Sequence, residues 1–403
     1  MEGVERKILH VDVNNAFLSW TALELLKFGE TIDIRDIESV IGGDESRRAG
    51  IVLAKSIKAK KCGVVTGETL FQARKKCPNL KVYRGNFSAY QKYSNQLYQL
   101  LLEYTDKIER YSIDECFLDM TEYLMGRTLE EIAIEINRRV KDELGFTVNI
   151  GLSQNKLLAK MASDFEKPNK IHTLYKEEIA DKMWKLPVQE LFMLGRKTVP
   201  FLNNLNIKTI GDLAKSDKKL LEKRFGKHGA LIWDYANGID DSKVVFEESK
   251  PKSIGNSITL PIDLFERDKI EAVLLQITEL VTYRLRKWEL LANTVSVQLR
   301  TTDFKDYSHQ KKLEFSTNTT KEIYKVVKEV FREMYNEQPI RLVGVRADKL
   351  IEKSEEQISF FSSNEKYQKI DKVLDNINLK YGKNTIGKPV DKGLDYRKDL
   401  KNL

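Results

Sequence analysis

The chain has 403 residues, 41% hydrophobic and 32% charged, with a net charge of +8. That length is too great for one compact core and predicts several domains. No run of about 18 or more apolar residues occurs and the N-terminal stretch lacks the apolar core of a signal peptide, which excludes a membrane span and a secretory leader and predicts a cytoplasmic protein.

Cys62, Cys77 and Cys116 show no CxxC spacing, which argues against zinc sites and a disulfide framework. Residues 1–166 hold 24 Lys/Arg against 25 Asp/Glu, residues 167–249 hold 15 against 12, residues 250–350 hold 18 against 14, and residues 351–403 hold 11 against 9. The positive excess therefore lies entirely in the later part. A phosphate backbone would be met there, although an ordinary basic protein has the same balance.

Val4–Val13 reads as a hydrophobic strand ending on Asp12, and Phe17–Phe28 as a helix bearing Phe17, Trp20, Leu23, Leu25 and Leu26. Residues 36 to 80 combine Gly42-Gly43, Gly50, Gly63 and Gly67 with many Lys and Arg, which predicts a small subdomain of short elements. After a helix over Tyr90–Tyr104 comes Tyr111-Ser112-Ile113-Asp114-Glu115-Cys116-Phe117-Leu118-Asp119-Met120-Thr121, a β-type run with two adjacent carboxylates inside it. Acids are poor strand formers and costly to bury unpaired, so Asp114 and Glu115 need either solvent or a cation, for which a hard divalent ion such as Mg²⁺ is the natural candidate. Asp119, five residues beyond Asp114, should face the other side of an extended strand and serve structure.

A second amphipathic helix over Leu129–Glu143 and a strand over Phe146–Leu152 complete a βαββαβ order, the pattern of a ferredoxin-like layer. A helix then follows Asn149–Ser153, with Ser153 as its expected N-cap and Lys156 and Lys160 four apart on one face. Beyond it come short helices over Pro187–Phe192, Lys197–Leu205, Ile210–Lys215, Asp217–Phe225 and Gly229–Asn237, and a polar stretch ending in Lys250-Pro251-Lys252-Ser253. A second strand-helix-strand-strand-helix-strand set is predicted over Ile254–Leu260, Ile270–Trp288, Thr294–Thr302, His309–Phe315, Thr320–Tyr335 and Ile340–Leu350. Its alternation buries one sheet face and leaves the other free.

Ile8-Leu9-His10-Val11-Asp12-Val13-Asn14-Asn15-Ala16-Phe17 and Ser112-Ile113-Asp114-Glu115 together resemble the two catalytic motifs of Y-family translesion DNA polymerases of the DinB/UmuC type, roughly HVDxxxFF/Y and SIDE, a likeness that runs over about residues 5 to 380. The resemblance implies an α+β multi-domain, right-hand polymerase fold. Its parts are a ferredoxin-like palm (1–35 and 83–166), small fingers (36–82), a helical thumb with a helix-hairpin-helix (167–240), a linker (241–253), a βαββαβ little finger (254–351) and a tail (352–403).

It implies a template-directed, low-fidelity DNA polymerase without proofreading, using two Mg²⁺ ions. Asp12 and Asp114 would bridge both ions, Glu115 would serve the one at the primer hydroxyl, and the Val13 carbonyl would be a further ligand. Phe17 matches the aromatic that blocks a 2′-hydroxyl, with Ala16 and Asn14 standing where the family often has an aromatic and a second Asp. Lys60 and Ile57 replace the Arg and Tyr of the triphosphate grip, and Lys167 matches its lysine.

Met193-Leu194-Gly195-Arg196-Lys197-Thr198 resembles the hairpin whose amides hold DNA phosphates, with Met193 in place of its first Gly. Gly195 and Lys197 there, with Ser253, Arg300, Arg341 and Arg346 in the little finger, are the expected DNA contacts. Gln357-Ile358-Ser359-Phe360-Phe361 resembles the QLxLF motif that docks bacterial polymerases on the sliding clamp, through Gln357, Ile358, Phe360 and Phe361. A competing reading packs Phe360 and Phe361 with Ile370, Val373, Leu374 and Ile377 on the protein's own surface. Primer-template DNA and deoxynucleoside triphosphates are the implied substrates of a monomer. A nucleotidyl cyclase also uses paired acids on such a palm but would not need a basic thumb and little finger, and a silent DNA-binding accessory would not need the three acids.

Overall fold

A computed structural model describes residues 5–45, 48, 50–247, 250–355, 365–382 and 395–396. It divides into two compact units, one of residues 1–41, 53–66 and 73–248 and one of residues 42–52, 67–72 and 249–403. The expected linker contains this boundary. Among the described residues no helix is long and apolar enough to cross a membrane.

The first unit opens with β1 (Ile8–Val13) and α1 (Ala16–Lys27). The fingers elements, which that division shares between the two units, are β2 (Ser39–Gly42), β3 (Val52–Lys55), α2 (Ile57–Lys61), α3 (Leu70–Lys76) and β4 (Lys81–Arg84), their strands ordered β3-β2-β4. Then come α4 (Phe87–Leu102), β5 (Ile108–Arg110), β6 (Glu115–Asp119), α5 (Leu129–Arg139), β7 (Val148–Ser153), α6 (Lys156–Ser163) and β8 (Ile171–Thr173). The palm sheet runs β5-β6-β1-β7-β8, so β1 is its middle strand and all six of its residues are buried. Strand alternation divides those residues between two faces. Leu9, Val11 and Val13 pack into the core with Trp20, Leu97 and Ile132, whereas Ile8 clusters with Phe117, Ala159 and Val244 on the side of α6.

Asn155, not Ser153, caps α6: its side chain accepts from the Leu158 N–H at 2.8 Å. Ser153 is the last residue of β7 and donates to the Leu174 carbonyl, because the strand runs through the position where the helix was expected to begin. The early part of the expected linker is likewise not free chain. Val244 is buried in the palm cluster and Arg6 donates to the Ser242 carbonyl at 2.7 Å.

The thumb helices are α7 (Val199–Asn204), α8 (Ile210–Ala214), α9 (Lys218–Phe225) and α10 (Lys227–Ala236), around a core of Leu202, Ile210, Leu213, Leu221 and Ile232. The helix expected over Pro187–Phe192 is only one 3₁₀ turn, Val188–Glu190, since Leu191 returns to extended backbone.

The second unit carries β9 (Ser253–Leu264), α11 (Arg267–Lys287), β10 (Leu290–Thr301), β11 (Asp306–Thr317), α12 (Thr320–Met334), β12 (Ile340–Asp348) and β13 (Ile351–Glu352), in sheet order β11-β10-β12-β9. Val295, Val297, Leu299, Val343 and Val345 form the core with Ile277, Val281, Val327 and Phe331 of the two helices. The tail helix α13 (Glu365–Tyr381) docks by an acidic side: Asp371 accepts from the Thr320 N–H at 2.9 Å and Asp375 from Arg286 Nε at 2.6 Å. Ile370 and Val373 are 44% and 55% exposed and Leu374 and Ile377 half-buried, while Phe360 and Phe361, on which the competing reading of the tail turns, lie outside the described residues.

Candidate active site at the end of the central palm strand

The alternation that sends Ile8 toward α6 sends His10 and Asp12 the same way. Asp12 lies directly opposite Glu115 on β6 and Asn149 on β7. Like charges directly opposite on an antiparallel pair destabilise it, so a cation is required between them. The structure supplies Lys160, whose Nζ lies 3.1 Å from Asp12 Oδ2, 3.1 Å from Glu115 Oε1 and 3.3 Å from Asp164 Oδ2. Lys167 adds a second ammonium, 3.1 Å from the same Asp12 oxygen and 2.8 Å from Asp164 Oδ1. Gly151 permits this approach of α6: a Cβ there would fall 1.9 Å from the Ala159 carbonyl oxygen and 2.6 Å from the Ser163 nitrogen.

Asp114 sits just before β6, where its backbone carbonyl accepts from the Val13 N–H at 3.0 Å and its Oδ1 accepts from Ser112 Oγ at 2.6 Å. Burial pushes its carboxyl up, and the charges of Asp12 and Glu115 push the same way against the Ser112 hydrogen bond. For Glu115 burial acts in that direction too, but His10 and the Lys160 charge outweigh it and hold the carboxyl well below its usual range. His10 is wholly buried, with Nδ1 2.8 Å from Ser163 Oγ and Nε2 3.5 Å from Glu115 Oε2, long for a hydrogen bond. Burial lowers its pKa and keeps the imidazole neutral. Lys160 and Lys167 stay charged, since the surrounding acids outweigh the burial that would lower them.

Asp12, Asp114, Glu115 and Asp164 against Lys160 and Lys167 leave two negative charges uncompensated among oxygen donors, a set that suits a hard divalent cation. Among the described residues no three metal-ligating side chains converge on one point. The ammoniums stand between the acids instead. Asp119 accepts from the Thr121 backbone and hydroxyl at 3.0 and 2.5 Å, in keeping with a structural role.

Phe17, in the first turn of α1, is half-buried: its ring stacks on Tyr90 at 4.7 Å and meets Phe87 edge-on at 5.8 Å. Asn14 is a structural tie. Its Oδ1 accepts from Thr147 Oγ1 at 3.0 Å and from the Asn169 N–H at 2.8 Å, which secures the loop carrying Lys167. Lys60 is exposed on α2, whose N-cap is Ser56. Lys160 carried no site role in the sequence reading, although its spacing from Lys156 was a signal. Lys156 pairs with Glu109 at 2.7 Å while Lys160 pairs with the acids, and pattern alone cannot say what a helix face meets.

In the thumb, Gly195 and Lys197 are both exposed in the turn leading into α7, and Met193 adopts φ 67°, the left-handed backbone a glycine would provide. In the little finger, Gly255, Ser296 and Arg346 are register partners, as are Ser253 and Asp348, and Arg300 with Leu342. Strand alternation therefore puts Ser253, Arg300 and Arg346 together on the face opposite the helices. Arg341 does not join them. It falls where the β10–β12 register shifts, and its guanidinium lies 4.7 Å from the Phe304 ring centroid. Gln357, Ile358, Phe360 and Phe361 lie outside the described residues.

The model of the impB/mucB/samB family matches residues 11–164, and that of the family's C-terminal domain matches residues 251–360. A DNA polymerase IV of Clostridium acetobutylicum is 50% identical over 389 residues, covering 96% of this chain and 98% of the relative. One of Acetivibrio thermocellus is 37% identical, covering 97% and 100%. A solved Y-family DNA polymerase chimera of Dbh and Dpo4 matches with a TM-score of 0.75 at 25% identity, covering 86% of this chain and 99% of the chimera. With these relatives and the palm and little-finger sheets described above, the chain belongs to the Y family of DNA polymerases, in its DinB-type branch, and is a DNA-directed DNA polymerase of the translesion class.

Proposed function

We propose that this enzyme extends a primer with two Mg²⁺ ions held by Asp12, Asp114, Glu115 and the Val13 carbonyl, and that Phe17, Lys60 and Lys167 hold the incoming nucleotide. As a member of its family it takes DNA and deoxynucleoside triphosphates as substrates and depends on divalent metal. When bound, the metal lowers the pKa of the primer 3′-hydroxyl and neutralises the departing pyrophosphate.

The observation that carries the reading is the register of Asp12 against Glu115 with Asp114 beside them, which gathers acids at one strand end under two lysines. Asp12 and Asp114 would hold the metal, and Glu115 would hold it on the side of the primer hydroxyl. The 3′-hydroxyl loses its proton to solvent, its oxygen bonds to the α-phosphorus, and the bond from that phosphorus to the pyrophosphate oxygen breaks. Lys167 and Lys60 grip the phosphates as point charges, looser than an arginine fork. The half-exposed Phe17 ring, braced by Tyr90 and Phe87, stands against a 2′-hydroxyl.

The domains follow the palm, fingers, thumb, linker, little-finger and tail limits given above. Gly195 and Lys197 hold DNA phosphates at the thumb, and Ser253, Arg300 and Arg346 hold them along the helix-free little-finger face, where Gly255 and Gly344 keep the surface low. The enzyme works as a cytoplasmic monomer that joins the sliding clamp through Gln357, Ile358, Phe360 and Phe361.

Asp114→Asn removes one charge and little volume. It should lower primer extension by more than roughly a hundredfold, the scale at which even outer-shell partners of metal ligands act, and leave DNA affinity unchanged. Wild-type extension by this variant would overturn the metal assignment. Replacing Gln357, Phe360 and Phe361 by Ala should abolish clamp-stimulated processivity and spare extension on short templates. Clamp binding that survives the triple replacement would refute that contact.

A further inference from the structure

Lys160 is buried, 7% exposed as a residue, and α6 cannot move it away without giving up the contact across Gly151. Its Nζ is equidistant from Asp12 Oδ2 and Glu115 Oε1, at 3.1 Å from each. Those oxygens belong to opposite strands, so the ammonium joins β1 to β6 at the point where their side-chain charges repel. It thus serves as a counter-ion to both carboxylates.

We infer that Lys160 is a built-in counter-cation that holds Asp12 and Glu115 in place before metal arrives and competes with the divalent ion for those same carboxylates. The inference rests on Asp12 and Glu115 being metal ligands, as proposed above. One consequence concerns order of loading. A divalent ion reaching the palm alone meets acids already half neutralised by Lys160 and Lys167, and binds weakly. An ion arriving with a triphosphate brings phosphate oxygens that give the ammoniums another partner, and the acids are released to it. Lys160 is in this sense a positioning residue that makes metal binding conditional on the nucleotide.

His10 supports the arrangement from beneath. It is wholly buried, and its contact with Ser163 fixes the ring against the last turn of α6. Among the described residues, the full positive charges in contact with Asp12 are the two ammoniums. Lys167 is shared between Asp12 and Asp164 and is much less enclosed, its side chain 36% exposed against 8% for Lys160.

The test measures Mn²⁺ binding to the DNA-free full chain by electron paramagnetic resonance, with thermal melts in EDTA and in saturating Mn²⁺. Lys160→Met should bind Mn²⁺ about tenfold more tightly than wild type, since one unit charge some 3 Å from two ligands is gone, and Lys160→Arg should stay within roughly twofold. Lys160→Met should also lose more thermal stability in EDTA than in Mn²⁺, because the acids then repel until an ion replaces the ammonium. A lysine that merely packs would lower both melts equally and leave Mn²⁺ affinity alone, and either result overturns the inference. Should Lys160→Met fail to fold, Lys160→Gln answers the same question with a neutral polar side chain. Asp12→Asn separates the two claims. If it loses Mn²⁺ binding while Lys160→Met binds as wild type does, the metal site stands and the counter-cation role falls. If Asp12→Asn binds Mn²⁺ normally, the metal site itself is refuted.

Discussion

Gly151→Ala is a one-methyl change whose effect follows from two distances. The new Cβ would stand 1.9 Å from the Ala159 carbonyl oxygen and 2.6 Å from the Ser163 nitrogen, both backbone atoms of α6 that no side-chain rotation can remove. Ordinary contact requires α6 to lift from β7 by more than about 1 Å, which disturbs the close packing of Leu157, Leu158, Met161 and Ala162. Overpacking of this kind costs about 1–3 kcal/mol and more where backbone is struck, so a loss of at least about 3 kcal/mol is expected. In a unit of this size that corresponds to a fall in melting temperature of roughly 10 °C. The same lift carries Lys160 Nζ beyond reach of at least one of its 3.1 Å partners, so extension at a temperature where the variant is fully folded should still drop. Urea melts read the first effect and single-turnover extension the second. A variant within about 0.5 kcal/mol of wild type, with an unaltered rate, would refute the claim that Gly151 sets the height of α6.

Three further outcomes are expected. Phe17→Ala should reduce discrimination against ribonucleotides by roughly a hundredfold, read as the ratio of incorporation efficiencies, and unchanged discrimination would make Phe17 a core residue only. Glu115, whose folded carboxyl is held below its ordinary 4.5, contributes stability that is present above that pH and lost as pH falls below it, so in EDTA the Glu115→Gln protein should show a flatter acid limb than wild type. Identical acid limbs would show that Lys160 and His10 do not stabilise this carboxylate. Met193→Gly should stabilise the thumb by about 1 kcal/mol in urea melts, because φ 67° strains any residue with a Cβ, and a loss of stability would mean that the half-exposed methionine side chain contributes more than the backbone strain costs.

The two βαββαβ layers were legible because their strands alternate and their helices keep a broad apolar stripe. Val295, Val297 and Leu299 announced one sheet face before any coordinates, and the hydrophobic run ending on Asp12 announced the strand that became β1, though not which of its faces meets which core. The acids were legible for a different reason: Asp12, Asp114 and Glu115 are misfits in apolar strands, and a misfit demands a compensating charge. What supplied that charge was not legible, since it depends on which face of α6 descends onto which strands, a tertiary fact set by Gly151. Ser153 was misplaced because Ser and Asn cap equally well, and only the length of β7 decides between them. Arg341 was grouped with Arg346 by residue type, and the register shift near it separates them. Nor could the pattern show that Met193 takes a left-handed backbone, because nothing in a methionine advertises it.

The central position of β1 also has a bearing on how the protein is made. Its partners, β6 and β7, lie more than a hundred residues further along the chain. During synthesis, at roughly 5–20 residues per second, the strand emerges many seconds before anything can pair with it. Ile8, Leu9, Val11 and Val13 are meanwhile an uncovered apolar ribbon, the kind of segment that chaperones shield and that seeds aggregates when they do not. Asp12 meets its ammonium partner only after Lys160 has been translated, so a nascent chain released before α6 would carry the Asp12 carboxylate without the counter-charge that compensates it.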